Sequence, residues 1–259
     1  MDALREIAWY EGVAWYVGYV LVLVPMDMRY KDCDCGDLAG AIRDNWTFYK
    51  QSIDEGGHAP APRTSVHVIE VGYGDLFVGI QNFAMNAFNN RKVDVMVTLA
   101  PSAARYFDRE TANAMMGAFA SGAKVAAVAV PEDGIDEFIN RGTLGGPITA
   151  WDLRALMEVR GFNQAAAQAE IGEDKPNAGV EEIHPLVGIV RKYGACIAPI
   201  QPQGMGVKRR ELEGLELVRH LTQIETKTKR QLFHARSLGV NGLEFFANAV
   251  MPDYRIQTV

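Results

Sequence analysis

The stretch from Ser65 to Pro147 constrains the fold more than any other part of the chain, because its apolar runs alternate with amphipathic segments. Val66-His67-Val68-Ile69-Glu70-Val71 reads as a strand that ends at Gly72-Tyr73-Gly74-Asp75. The amphipathic segment Leu76 to Asn90 follows, and then a second strand, Val93 to Ala100. A helical segment from Asp108 to Ser121 leads to a third strand, Lys124 to Val130, closed by Pro131-Glu132-Asp133-Gly134. Strands that alternate with helices of this length argue for βαβ units. The expectation is an α/β fold with a mostly parallel sheet, its strands adjacent and joined by right-handed crossovers.

The flanks extend this unit. Val17 to Val24 is rich in β-branched residues and stops at Pro25, so it reads as a buried strand. It lies within Ile7 to Met26, twenty residues whose only charge is Glu11. A membrane span would place that carboxylate in the bilayer and lacks a flanking Lys/Arg cluster, so the strand is the better reading. Asp37 is placed to cap a helix from Leu38 to Ile53, which ends at Gly56-Gly57. After Pro147, Thr149 is placed to cap a helix from Ala150 to Val159, and a second helix is expected from Phe162 to Ile171. Glu181 to Tyr193 reads as a helix ending at Gly194, and Ala195 to Ile200 as a short strand whose Pro199 belongs near an edge. Leu212, Leu215, Val218, Leu221 and Ile224 mark one face of a long helix from Val207 to Leu238, interrupted near Thr226 to Thr228. Leu243 to Val250 gives a last helix. The whole chain, 1–259, is read as one α/β domain with a core at 65–157, an N-terminal extension and a C-terminal helical extension at 207–259.

Composition narrows the function classes. At 48% hydrophobic and 22% charged residues the chain can bury a substantial core. A net charge of -6 argues against non-specific nucleic-acid binding. Residues 207–236 depart from that average, with eight basic residues against four Glu, a pattern that suits an exposed helix face. Three cysteines make no disulfide framework, and a reducing, cytoplasmic compartment is expected. Cys33 and Cys35 stand among Asp27, Asp32, Asp34 and Asp37, but Cys-x-Cys without a second Cys/His pair reads as a polar loop before a helix rather than a metal site. Trp9, Tyr10, Trp15, Tyr16 and Tyr19 make the N-terminus aromatic, which predicts self-association.

Ligands of open parallel sheets gather outside the carboxyl ends of the strands. That rule singles out Tyr73, Gly74 and Asp75 after the first strand, Ser102 and Arg105 after the second, Glu132 and Asp133 after the third, and Gln201 after Ile200. Backbone N–H groups after Gly74 and Pro101 can receive an anion, and Arg105 can add a fork of donors. Asp75, Glu132 or Asp133 can act as a general base if burial raises its pKa. The same residues have an ordinary reading as helix caps and turns. Cys196 enters as a reactive thiol or, in its apolar run, as a buried structural one. His67 and Glu70 point to opposite strand faces by alternation, and His184 suits a helix start. The glycine fingerprint of dinucleotide sites is incomplete and no P-loop is present, so no cofactor is named.

Residues 65–157 resemble the DsrE/DsrF-type family of small sulfur-relay proteins. The resemblance lies in the opening strand and long helix, in Val93 to Arg105, and in Gly122 to Pro131. It continues in Gly134-Ile135-Asp136-Glu137-Phe138-Ile139 and in Gly145-Gly146-Pro147-Ile148-Thr149. It implies a flavodoxin-like three-layer fold, a homo-oligomer, and a role with a small sulfur-containing or anionic molecule. Members that carry persulfide place a cysteine at the end of the third strand, where this chain has Val128-Ala129-Val130. Two other readings stay open: a cofactor-independent lyase or hydrolase using a strand-end carboxylate, and a non-catalytic assembly subunit.

Overall fold

The computed structural model describes residues 19–25, 65–71, 79–89, 93–99, 109–128, 148–163, 182–200 and 214–254. The expected helix at 38–53 and nearly all of that at 162–171 lie outside them. Strands β1 (Tyr19–Pro25) and β2 (Ser65–Val71) pair in parallel, with Val20 opposite Val66 and Val24 opposite Glu70. They form a two-stranded sheet of their own. Helix α1 (Gly79–Asn89), β3 (Val95–Leu99), helix α2 (Arg109–Ala120) and β4 (Val125–Val128) then follow in the order expected.

The next strand departs from expectation. Ile148–Asp152 is not the start of a helix but strand β5, and it lies between β3 and β4, antiparallel to both. Strand β6 (Ile197–Ile200) completes the sheet, parallel to β4, in the order β3-β5-β4-β6. The architecture is α/β, but the sheet is mixed rather than mostly parallel, and β2 is not a neighbour of β3. The physical reason is the apolar run Ile148-Thr149-Ala150-Trp151, whose four residues are all buried. Such a run needs strand neighbours on both sides, and the turn-rich residues before it permit a direct antiparallel return without a crossover. Pro199 sits on β6, the outer named strand, beyond which only the bridge from Ile197 to Val250 continues among the described residues.

Both faces of the four-stranded sheet are buried. The row Met96, Trp151, Val125, Ile197 crosses all four strands and joins the larger core cluster. That cluster takes Ala84 and Met85 from α1, Leu156 from α3 (Leu153–Glu158), and Leu186 and Ile189 from α4 (Ile183–Tyr193). Ala235 of α5 (Gly214–Ser237) and Phe246 of α6 (Gly242–Ala249) close it, so the C-terminal helices are part of the core. The adjacent row Val97, Ala150, Ala126, Ala198 faces α2, which supplies Ala112, Met115 and Ala118. Three alanines in that row let the helix approach closely, because a larger side chain would hold it off.

Local chemistry sets the helix ends. Asp152 ends β5 and caps α3, its Oδ1 accepting from the Ala155 N–H at 2.9 Å. The helix stops at Arg160 and Gly161, with φ of 67° and 68°. A Cβ at position 161 would come within 2.4 Å of Asn82 Oδ1. That closeness lets the Asn82 side chain grip the Phe162 backbone, accepting from its N–H at 2.9 Å and donating to its carbonyl at 2.8 Å. Helix α4 buries Ile183, Leu186, Val187 and Val190 at the spacing of one helical face and ends at Gly194, φ 73°. Helix α5 runs unbroken through Thr226 to Thr228, contrary to the expected interruption. The Glu225–Lys229 pair, 2.6 Å, spans that turn.

Candidate functional site

Strands β3 and β4 both run opposite to β5, and β6 runs with β4, so β3, β4 and β6 share one direction. Their carboxyl ends, at Leu99, Val128 and Ile200, lie at the same end of the sheet. Tyr73, Gly74, Asp75, Ser102, Arg105, Glu132, Asp133 and Gln201 all lie outside the described residues. Cys196 is described, and it precedes β6, at the opposite, amino end. Its side chain is 2% exposed, and burial pushes the thiol up to about 12 against a smaller opposing pull from Lys124. Its backbone is fully engaged: the N–H donates to Ala249 O at 2.9 Å and the carbonyl accepts from Lys124 N at 2.8 Å.

The amino end of the sheet gathers a set of charged groups that sequence reasoning did not assemble. Lys124 Nζ donates to Asp152 Oδ2 at 2.7 Å and lies 5.4 Å from the centre of the Tyr193 ring. Glu158 accepts from Lys192 Nζ at 2.8 Å and from the Tyr193 hydroxyl. The Lys192 hydrogen bond, helped by that of Tyr193, holds the Glu158 carboxyl down at about 2. The same bond to Glu158, with burial second, pushes Tyr193 up to about 12. Each charge therefore has a partner, and the thiol beneath is held in its protonated form. This arrangement fastens β4, β5, α3 and α4 to one another. The cap of α3 is Asp152, three residues before Ala155, and not the expected Thr149, which lies inside β5.

A second polar device lies within the core. Trp151 Nε1 donates to Thr98 Oγ1 at 3.2 Å, and Thr98 Oγ1 donates to Thr149 O at 3.2 Å. The indole N–H is thereby satisfied without water, while its ring packs edge-on to Phe162 at 5.5 Å. Further along, Gln231 and His234 turn polar groups into the interior from α5, and burial lowers the pKa of His234. Among the described residues no three His, Cys, Asp or Glu side chains are grouped to hold a metal ion. No described helix is long and apolar enough to cross a membrane. No protein-family model matches the chain, and no curated protein or solved structure matches it.

Proposed function

We propose that this chain binds a small anionic or carbonyl-bearing molecule at the carboxyl end of its four-stranded sheet, as a homo-oligomer in the cytoplasm. The observation behind this reading is the common direction of β3, β4 and β6, whose chain exits at Leu99, Val128 and Ile200 precede Ser102, Arg105, Glu132, Asp133 and Gln201 in sequence. Arg105 and the amides after Pro101 would receive the anion, with a carboxylate of Glu132 or Asp133 opposite. Asp75, with Tyr73 and Gly74, would complete the site from β2. A three-layer, DsrE-like arrangement accommodates such a site. Sulfur relay through Cys196 is the weaker version of this reading. A relay thiol must ionise and be reached, whereas Cys196 is buried with its thiol up at about 12.

The test is a thermal-shift series of the full chain with inorganic phosphate, sulfate, thiosulfate and small 2-oxo acids, repeated on Arg105→Ala and Asp75→Ala. Binding of one of these anions should raise the Tm of the wild type in a concentration-dependent way. Arg105→Ala should abolish the rise. A wild-type Tm that no member of the series moves at millimolar concentration would overturn the reading.

A further inference from the structure

Helix α5 packs against α4 and α6 with residues 231, 234 and 235 turned inward. On α4 the inward positions are apolar throughout. On α5 two of them are Gln231, 4% exposed, and His234, 3% exposed. Gln231 Oε1 and His234 Nε2 are buried and have no hydrogen-bond partner among the described residues. Other unpartnered atoms, His184 Nδ1 and Gln81 Oε1, belong to residues that are only half-buried. An unpaired polar atom in a core is costly, and native proteins carry few of them. Here two occur on adjacent turns of one helix face. Residues three apart on a helix have Cβ atoms about 5–6 Å apart, a span that one small molecule can bridge.

We propose that Gln231 and His234 form a buried site on the inner face of α5 that holds one hydroxyl group, either an ordered water or the O–H of a small neutral ligand. One O–H donates to Gln231 Oε1, and the same oxygen donates its second hydrogen to His234 Nε2 or, in a ligand, accepts from Nε2–H. Hydroxyl chemistry fits because it both donates and accepts: a water, with two hydrogens, satisfies the Gln231 amide in either orientation and either neutral tautomer of His234, and a ligand O–H, with one, fits where at least one of the two side chains donates to it. A divalent cation fits less well. Both atoms are neutral, and among the described residues no group of three His, Cys, Asp or Glu forms around them to offset a buried dication. Burial favours the neutral imidazole that this arrangement needs. Helix α6 lies close against α5, for a Cβ at Gly242 would stand 3.0 Å from Leu232 Cδ2 and 3.2 Å from Ala235 Cβ.

The sign of a stability change tests this. If the two atoms have no partner, replacing either side chain by an apolar one of similar size removes a penalty, and Gln231→Met or His234→Phe raises the Tm. If a hydroxyl bridges them, each single change strands it, and each lowers the Tm by a few degrees, about 2–4 °C per kcal/mol for a chain of this size. A crystal structure of the wild type gives a reading that survives even if a variant does not fold. Density about 2.7–3.2 Å from both atoms supports the site. A single isolated peak identifies water. Connected density, matched by a retained mass in native mass spectrometry, identifies a ligand. A raised Tm in either variant, or both atoms bonded only to protein groups in the crystal, overturns the proposal.

Discussion

The amino end of the four-stranded sheet and the inner face of α5 both bring polar side chains against the core, and they treat them in opposite ways. At the amino end each charge has a partner: Lys124 with Asp152, Glu158 with Lys192 and Tyr193. These groups are half-exposed, so water shares the cost of solvating them. On α5, Gln231 Oε1 and His234 Nε2 are buried and unpaired among the described residues. The contrast teaches where to look for a ligand. Paired polar groups at a rim fasten elements together, whereas unpaired ones inside a core call for a partner from outside the chain.

The largest effect is expected beneath the amino end, at Trp151, the biggest fully buried side chain among the described residues. Trp151→Ala should cost about 3–5 kcal/mol by urea titration, since it opens a cavity and removes the indole donor from the Thr98 hydroxyl. A loss below 1 kcal/mol would mean that the central place of β5 is wrong. Cys196→Ser comes next, at about 1–3 kcal/mol, because a hydroxyl replaces a buried thiol that has no hydrogen-bonding demand of similar strength. In a Cys33→Ser/Cys35→Ser background the native thiol should react with a disulfide reagent at pH 8 orders of magnitude more slowly than a free thiol. Reaction at the free-thiol rate would return Cys196 to the list of reactive groups.

Asp152 separates cap from ion pair. Asp152→Ala should cost roughly 0.5–2 kcal/mol, most of it the lost bond to the Ala155 N–H. Asp152→Asn keeps the cap and removes the charge opposite Lys124, so it should cost less. Equal losses would assign the whole effect to the pair. The smallest effect is the acid response of Glu158. Its carboxyl is depressed from 4.5 to about 2, so its contribution is present above pH 4.5 and is lost as the pH falls toward 2. Glu158→Gln should flatten that part of the stability curve slightly, since the group is solvent-exposed and screened. A steeper acid limb in the variant would show that the sign is wrong.

The chain order of strands and helices was legible at the level of individual elements. β-branched runs announced β1, β2 and β3, and apolar spacing announced α1, α2 and α4, because the periods of 2 and 3.6 residues are local properties. Gly194 announced the end of α4, and Pro199 an outer strand, for equally local reasons: positive φ and a missing N–H. The four buried residues of β5 were not legible as a strand, since a short apolar run has the same look in a buried helix. Its insertion between β3 and β4, which makes the sheet mixed, depends on which strand edges remain unpaired after folding. Nor could a sequence say that Lys124, Asp152, Glu158 and Tyr193 would meet, for they are brought together only when β4, β5 and α4 share one end of the sheet. The same holds for Gln231 and His234. Their polarity is written in the sequence, but their burial away from bulk solvent and from partners among the described residues exists only once α5 lies against α4 and α6.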